Sequence, residues 1–334
     1  MMLITLMLIQ PVFAADITVD PSGGGDHTTI QSAIDAAASG DIITVLAGTY
    51  NEDILFESKN IELKGSDDEA RDTTFLVGTG GAPTATIVGG VVTISNMAIS
   101  GGVTGVSITT NAVSNLINLR VEDNVGGEEG GGIAIASNAD VVLNSVLVQN
   151  NEATQGGGIY LAADAKKLLV VDSTIRENVA TGSGGGIYTS APFNLQNSWV
   201  SDNIAAESGG ALYATAIAPE VDGSDFWGNS ATNGGAIALE ATSRVSLFAN
   251  RIIGSEFWLN EASTSGGAVW LNGAGPQYLK QNLIILNKAG EDGRHFVHLD
   301  DHVRSRARHS NTLDRGAGLV GARSVRPAAM VLRR

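Results

Sequence analysis

The sequence predicts an all-β protein: a right-handed parallel β-helix, a solenoid of coils of about 25 residues, with a short capping helix at its N-terminus. Three observations lead there. A glycine-aliphatic motif and an asparagine motif recur in fixed phase from residue 118 onward. Between them lie only three-residue runs of alternating polarity, too short to form a sheet except by stacking on their own repeats. Glycine is abundant, at 42 of 334 residues, while aromatics make up 5%, a composition that suits thin, tightly turning coils rather than a bulky core.

The clearest repeats read NSVLVQNNEATQGGGIYL, DSTIRENVATGSGGGIYT, NSWVSDNIAAESGGALYA, GSDFWGNSATNGGAIAL and GSEFWLNEASTSGGAVWL. Their phase is set by Asn124, Asn150, Asn178, Asn203, Asn229, Asn260 and Asn287, spaced by 26, 28, 25, 26, 31 and 27. Three residues before each stands an apolar side chain: Val121, Leu147, Ile175, Val200, Phe226, Phe257 and Ile284. Glycine motifs follow at Gly130, Gly156, Gly184, Gly209, Gly234 and Gly266. Each period therefore holds three strands. One follows the glycines, a second lies mid-period (Val141–Leu143, Leu168–Val171, Val245–Leu247), and the third carries the apolar residue before the asparagine. Stacked coils would lie about 4.8 Å apart. The asparagines are expected at one corner, in the left-handed conformation that Asn tolerates, bonded along the stack as a ladder. The glycines allow positive φ where a coil turns.

The paired motifs resemble the repeats of the polymorphic outer-membrane protein family, Phe226–Asn229 with Gly234–Ile237 most closely and Phe257–Asn260 with Gly266–Val269 next. The resemblance covers about residues 118–293. It implies a β-helical surface passenger associated with adhesion and held by a C-terminal β-barrel. No roughly ten-residue alternating segments with aromatic girdles follow here.

Upstream, Thr29–Ala38 reads as a helix, with Ile30, Ala33, Ile34 and Ala37 on one face, a Thr N-cap and Gly40 after. Ten residues are marginal alone, so this helix is expected to dock on the open end of the solenoid and shield its edge. Strands at Ile42–Val45, Ile54–Phe56 and Ile61–Leu63 start the coil, and segments around Phe75, Ile87, Val91–Ile94 and Val106–Ile108 continue it. The Thr-Ile-Gln helix and the Ala-Gly-Thr-Tyr-x-Glu turn (Ala47–Glu52) resemble the start of pectin-lyase-like proteins, including pectinesterases. The resemblance implies the fold. The esterase motifs Gln-Asp-Thr-Leu and Asp-Phe-Ile-Phe-Gly are absent, as are the polygalacturonase Asn-Thr-Asp and Gly-His-Gly.

Charge and motifs narrow the function. The net charge of −15 excludes nucleic acid as a partner of the main body, which would need clustered cations. Residues 1–293 carry −21 and residues 294–334 carry +6, from 9 Arg and 3 Asp. There is no cysteine, hence no disulfide or thiolate site. Residues 1–14, an apolar run ending in Pro-Val-Phe-Ala with no preceding basic residue, read as a signal peptide that exports the chain to the cell surface or the medium. No transmembrane helix, cofactor or metal is expected, since no metal-binding, phosphate-cradling or nucleophile motif occurs.

Chemistry would have to come from the outward columns. Asp123, Glu177 and Asp202 each precede a ladder asparagine, with Gln149 interrupting the column. Glu177 and Asp202, about one coil or roughly 5 Å apart, could hold a cation or share a proton; equally, they could be solvated turn residues. Arg120 and Arg176 point outward in different columns, Lys166-Lys167 is one exposed pair, and His27 is the body's only histidine. The expectation is a secreted or cell-surface scaffold, non-enzymatic, for adhesion or interaction, with a cell-surface polysaccharide or a protein as ligand. The alternative is a polysaccharide-active β-helix enzyme, lyase-like or esterase-like. Residues 294–334 abandon the repeat inside a coil and hold four of the five histidines. They are either a disordered basic tail or the product of a frameshift, and in both cases the domain ends at 293.

Overall fold

A computed structural model of the chain describes residues 14–215, 219–240, 250–272, 277–290 and 297–299. These residues wind into a right-handed parallel β-helix whose strands pair in parallel with the same segment of the next coil. Sheet A has 11 strands, sheets B and C have 10 each, and a fourth, sheet D, has 7. Early coils run A, B, C, as in Ile42–Val45, Gly48–Asn51 and Ile54–Glu57. From Val125–Glu129 onward sheet D is inserted between B and C.

Sheet D was not expected. It is built from the arc between asparagine and glycine, whose inward side chains are only alanines: Ala153, Ala180, Ala205, Ala231, Ala262 and Ala289, all buried. Alanine carries no strand signature, but a small side chain is what lets this wall approach the core. The expected strands at Ile42–Val45, Ile54–Glu57 and Ile61–Gly65 are present. In the 31-residue coil, the strand in sheet A is Asn250–Ile253; Val245–Leu247 lies outside the described residues.

Two buried ladders pin the corners. Asn124, Asn151, Asn178, Asn203, Asn229, Asn260 and Asn287 each donate through Nδ2 to Oδ1 of the next, at 2.8–3.0 Å. Asn151, not Asn150, is the second rung, and Val148, not Leu147, is the inward residue before it. The Asn150-Asn151 pair conceals the one-residue slip. The rungs are not the left-handed residues either. The residue before each takes φ of 54–64°: Asp123, Asn150, Glu177, Asp202, Gly228 and, in the last two coils, Leu259 and Leu286. The corner turns there and swings the asparagine inward. At the A–B corner, Ser173, Ser198, Ser224 and Ser255 form a second ladder, each hydroxyl accepting the N–H of the preceding rung at 3.1–3.2 Å. The glycines fit as expected: a Cβ on Gly156 (φ 61°) would stand 2.3 Å from the Ile159 carbonyl oxygen.

The helix spans Ile30–Ala36, shorter than expected, and buries Ile30, Ala33 and Ile34 in the core at the N-terminal end. It stops where Asp41 turns the chain by accepting Ala38 N–H and Ala15 N–H, each at 2.8 Å. Those bonds hold the Asp41 carboxyl below its ordinary pKa. The Ala47–Glu52 turn proves to be the mate of the helix. Glu52 accepts the N–H groups of Ile30 and Gln31 at 2.8 and 2.9 Å, and Gln31 in turn accepts Leu55 N–H at 2.7 Å. Tyr50 donates to Leu46 O at 2.9 Å. Both motifs are thus accounted for as architecture.

Two fully buried hydroxyls, those of Thr74 and Ser114, are unpaired among the described residues. Ser114 lies fully buried between Val92 and Val141 of adjacent coils, and its hydroxyl has no partner. Ser114→Ala is therefore expected to stabilise the fold by about 1 kcal/mol, since an unpaired buried hydroxyl costs roughly 1–3 kcal/mol. A lowered midpoint in urea would contradict this.

Residues 1–13, and with them nearly all of the expected signal peptide, lie outside the described residues, as does most of 294–334. Within that segment Val297–Leu299 is described: it pairs in parallel with Val269–Leu271 and adds a strand to sheet C. The backbone of the stack thus continues past the point where the glycine motif fails.

Candidate recognition face

The carboxylates and arginines singled out in the sequence fall on the outer face of sheet B, which has two outward columns and the left-handed corner beside them; Lys167 lies instead in a strand of sheet A, and His27 bridges to Val19 before the helix. One column runs Arg120, Leu147, Thr174, Trp199, Asp225, Glu256, Leu283, and the next runs Glu122, Gln149, Arg176, Ser201, Trp227, Trp258, Ile285. The corner holds Asp123, Asn150, Glu177, Asp202, Gly228, Leu259 and Leu286.

The N-terminal half of this face is a closed polar network. Arg120 pairs with Glu122 at 2.7 Å and Asp72 at 2.8 Å. Gln149 donates to Glu122 at 2.6 Å and accepts from Arg176 Nε and Nη2 at 2.9 and 2.6 Å. Arg176 also lies 3.6 Å from Glu177. Gln149, expected as an interruption of the corner column, is instead the bridge between Glu122 and Arg176, because the corner residue of that coil is Asn150. Arg120 and Arg176 stand in different columns, as expected. Glu177 and Asp202 occupy successive corner positions, both exposed. Among the described residues no three His, Cys, Asp or Glu side chains converge as a metal cluster.

The C-terminal half is different in kind. Trp199, from the first column, and Trp227 and Trp258, from the second, form a strip with centroids 6.2 Å apart at both steps and planes inclined by 19° and 16°. Carbon faces in contact lie about 3.5–4 Å apart, so rings at this separation are slipped past one another by about 5 Å and leave much of each face uncovered. Trp199 and Trp227 are 43% and 38% exposed. Trp258 Nε1 donates to Glu256 at 2.9 Å, whereas the indole N–H groups of Trp199 and Trp227 have no partner among the described residues. Beneath them Phe226 and Phe257 stack in the core at 4.8 Å and 5°. Sequence reading missed this strip, although alternation next to an inward Phe already placed Trp227 and Trp258 outward.

Leu259 and Leu286 extend the apolar surface, exposed at 45% and 69%. Both adopt φ 56°, which bulky residues rarely take and which costs roughly 1–2 kcal/mol per residue. Leu259→Asn should therefore raise stability by about 1 kcal/mol, as Asn150 fills the same corner; an unchanged melting temperature would contradict it.

Other surfaces are more fully engaged. In the sheet C column Tyr160, Tyr188, Tyr213 the ring centroids are 5.2 Å apart at each step, the first pair stacked and the second tilted by 44°. Tyr213 donates to Glu240, and burial, then that bond, pushes its phenol up. A depression on sheet A, lined by Gln196, Glu220, Asp222 and Arg251, has its arginine paired with Glu220 at 3.1 Å.

The profile of the family described as "Right handed beta helix region" matches residues 60–226, half of the chain. The chain belongs to the right-handed β-helix family. Solved structures share the architecture at low identity. Alginate lyase from Paenibacillus sp. str. FPU-7 is 13% identical with a TM-score of 0.49, over 85% of this chain and 99% of that one. Pectin methylesterase PemA from Erwinia chrysanthemi is 12% identical with a TM-score of 0.44, over 93% and 99%. Pectin methylesterase from carrot is 12% identical with a TM-score of 0.43, over 88% and 91%. At these identities and scores the likeness carries no argument about activity. No curated protein sequence matches the chain. No described helix is long and apolar enough to cross a membrane.

Proposed function

We propose that this β-helix is an exported, non-catalytic binding scaffold for adhesion or interaction, and that it holds an extended polysaccharide on the outer face of sheet B. The observation that carries the reading is the slipped, half-exposed tryptophan strip. Aromatic faces with a polar edge suit a ligand that is apolar on one side and hydroxylated on the other, as a pyranose ring is. The repeat's likeness to polymorphic outer-membrane proteins and the apolar N-terminus support a surface location. A lyase would need a free cation on the face, and both arginines there are paired.

A hydrolytic reading has one observation in its favour. Asp225 and Glu256 are register neighbours on adjacent coils, and a pair of neighbouring carboxylates is what a retaining glycosidase uses. Both sit on an open face, however, with no groove among the described residues to enclose a sugar. Purified protein should retain polysaccharides in affinity electrophoresis and release no reducing ends or methanol from them, and Trp227→Ala should abolish retention. Product release lost in Asp225→Asn would replace this reading with the enzymatic one.

A further inference from the structure

Resting on that reading, we infer that the ligand of the sheet B face is a cationic polysaccharide, a polymer of pyranose rings bearing protonated amines. From Trp199 to Leu286 the three columns of the face contain no lysine or arginine, yet they hold Asp202, Asp225 and Glu256 beside the tryptophans. None of the three forms an ion pair among the described residues; Glu256 engages only the Trp258 indole N–H. On the N-terminal half of the same face, Arg120 pairs with Glu122 and Arg176 contacts Glu177. Burial, and then the neighbouring Glu256, pushes the Asp225 carboxyl above its ordinary pKa, a direction that a bound cation would oppose.

The chemistry of a protonated hexosamine meets each part. Its ring stacks on an indole face, its ammonium gains from both the aromatic quadrupole and a carboxylate, and its hydroxyls can accept from the free indole N–H groups. Its hydroxyls separate it from a basic peptide, whose lysine side chains carry donors only and leave the indole N–H groups without an acceptor. A polyuronate would bring anions to an anionic face.

The test is calorimetric titration of the full chain with three oligosaccharides of equal length: β-1,4-glucosamine, β-1,4-glucose and galacturonate. Glucosamine should bind at least tenfold more tightly than glucose, with affinity falling as salt rises, and galacturonate should not bind. The double variant Asp225→Asn, Glu256→Gln should bring glucosamine down to the glucose level, and Trp227→Ala should remove both. A circular dichroism melt of each variant checks that it is folded. Equal affinity for glucose and glucosamine would overturn the cationic assignment and leave the polysaccharide surface standing. Tightest binding of galacturonate would also overturn it. Absence of binding by all three, or binding unaffected by a folded Trp227→Ala, would overturn both; a lysine-rich peptide that bound where the sugars did not would do the same.

Discussion

Asn178→Ala is expected to cost about 3–5 kcal/mol. The Asn178 side chain makes four hydrogen bonds. Its Oδ1 accepts Asn151 N and Asn151 Nδ2 at 3.1 and 3.0 Å, and its Nδ2 donates to Val148 O and Asn203 Oδ1 at 3.0 Å each. Truncation takes the side-chain partner from Asn151 N–H and Val148 O and one bond each from Asn151 Nδ2 and Asn203 Oδ1, which keep others, in a fully buried corner, and each unpaired group costs roughly 1–3 kcal/mol before water or relaxation recovers part of it. Asn178→Asp should be no better. It keeps the acceptor but sets a buried carboxylate against Val148 O and Asn203 Oδ1, with no cation to offset it. Hydrogen exchange should report the damage first in the coils around Asn151 and Asn203, because each coil touches only its neighbours. Uniform loss of protection from end to end would argue against rung-by-rung stabilisation.

Phe226→Ala should cost a similar amount, about 3–5 kcal/mol. Phe226 is fully buried and stacked on Phe257 at 4.8 Å and 5°. Its coil cannot collapse into the gap, because Phe226 O is held by Asn260 Nδ2 and the strand is paired above and below. The lost transfer energy and the residual cavity therefore add. The same ring lies under the tryptophan strip, so the variant should also weaken ligand binding even where the fold survives. Full stability in Phe226→Ala would mean that the core at this coil is loosely packed.

The two largest effects fall on residues whose roles were visible in the sequence. Phase-locked Asn and Gly-Gly motifs required a stacked coil, and alternation placed Phe226 and Phe257 inside. What stayed hidden has physical reasons. The step from Asn150 to Asn151 is invisible because the two side chains are identical and only burial tells them apart. Sheet D is invisible because alanine buries without a strand signature. Leu259 and Leu286 could not be read as left-handed corner residues, since the side chain argues against that backbone and only the stack imposes it. On the recognition face, Glu177, Asp202, Arg120 and Arg176 drew notice because charge is conspicuous, yet the structure shows both arginines neutralised by neighbours. The tryptophans became legible as a site only when three coils were superposed, for Trp199 stands four residues before its asparagine while Trp227 and Trp258 stand two.

The recognition face can be tested most directly by following the four indole N–H resonances during titration with a β-1,4-glucosamine oligomer. Trp199, Trp227 and Trp258 lie on sheet B, and Trp270 lies on sheet C. Three signals should shift together along one binding curve, each assigned by its Trp→Phe variant, while that of Trp270 stays in place. Movement of Trp270 alone, or of none of the four at a concentration where calorimetry detects binding, would contradict the placement of the ligand on this face.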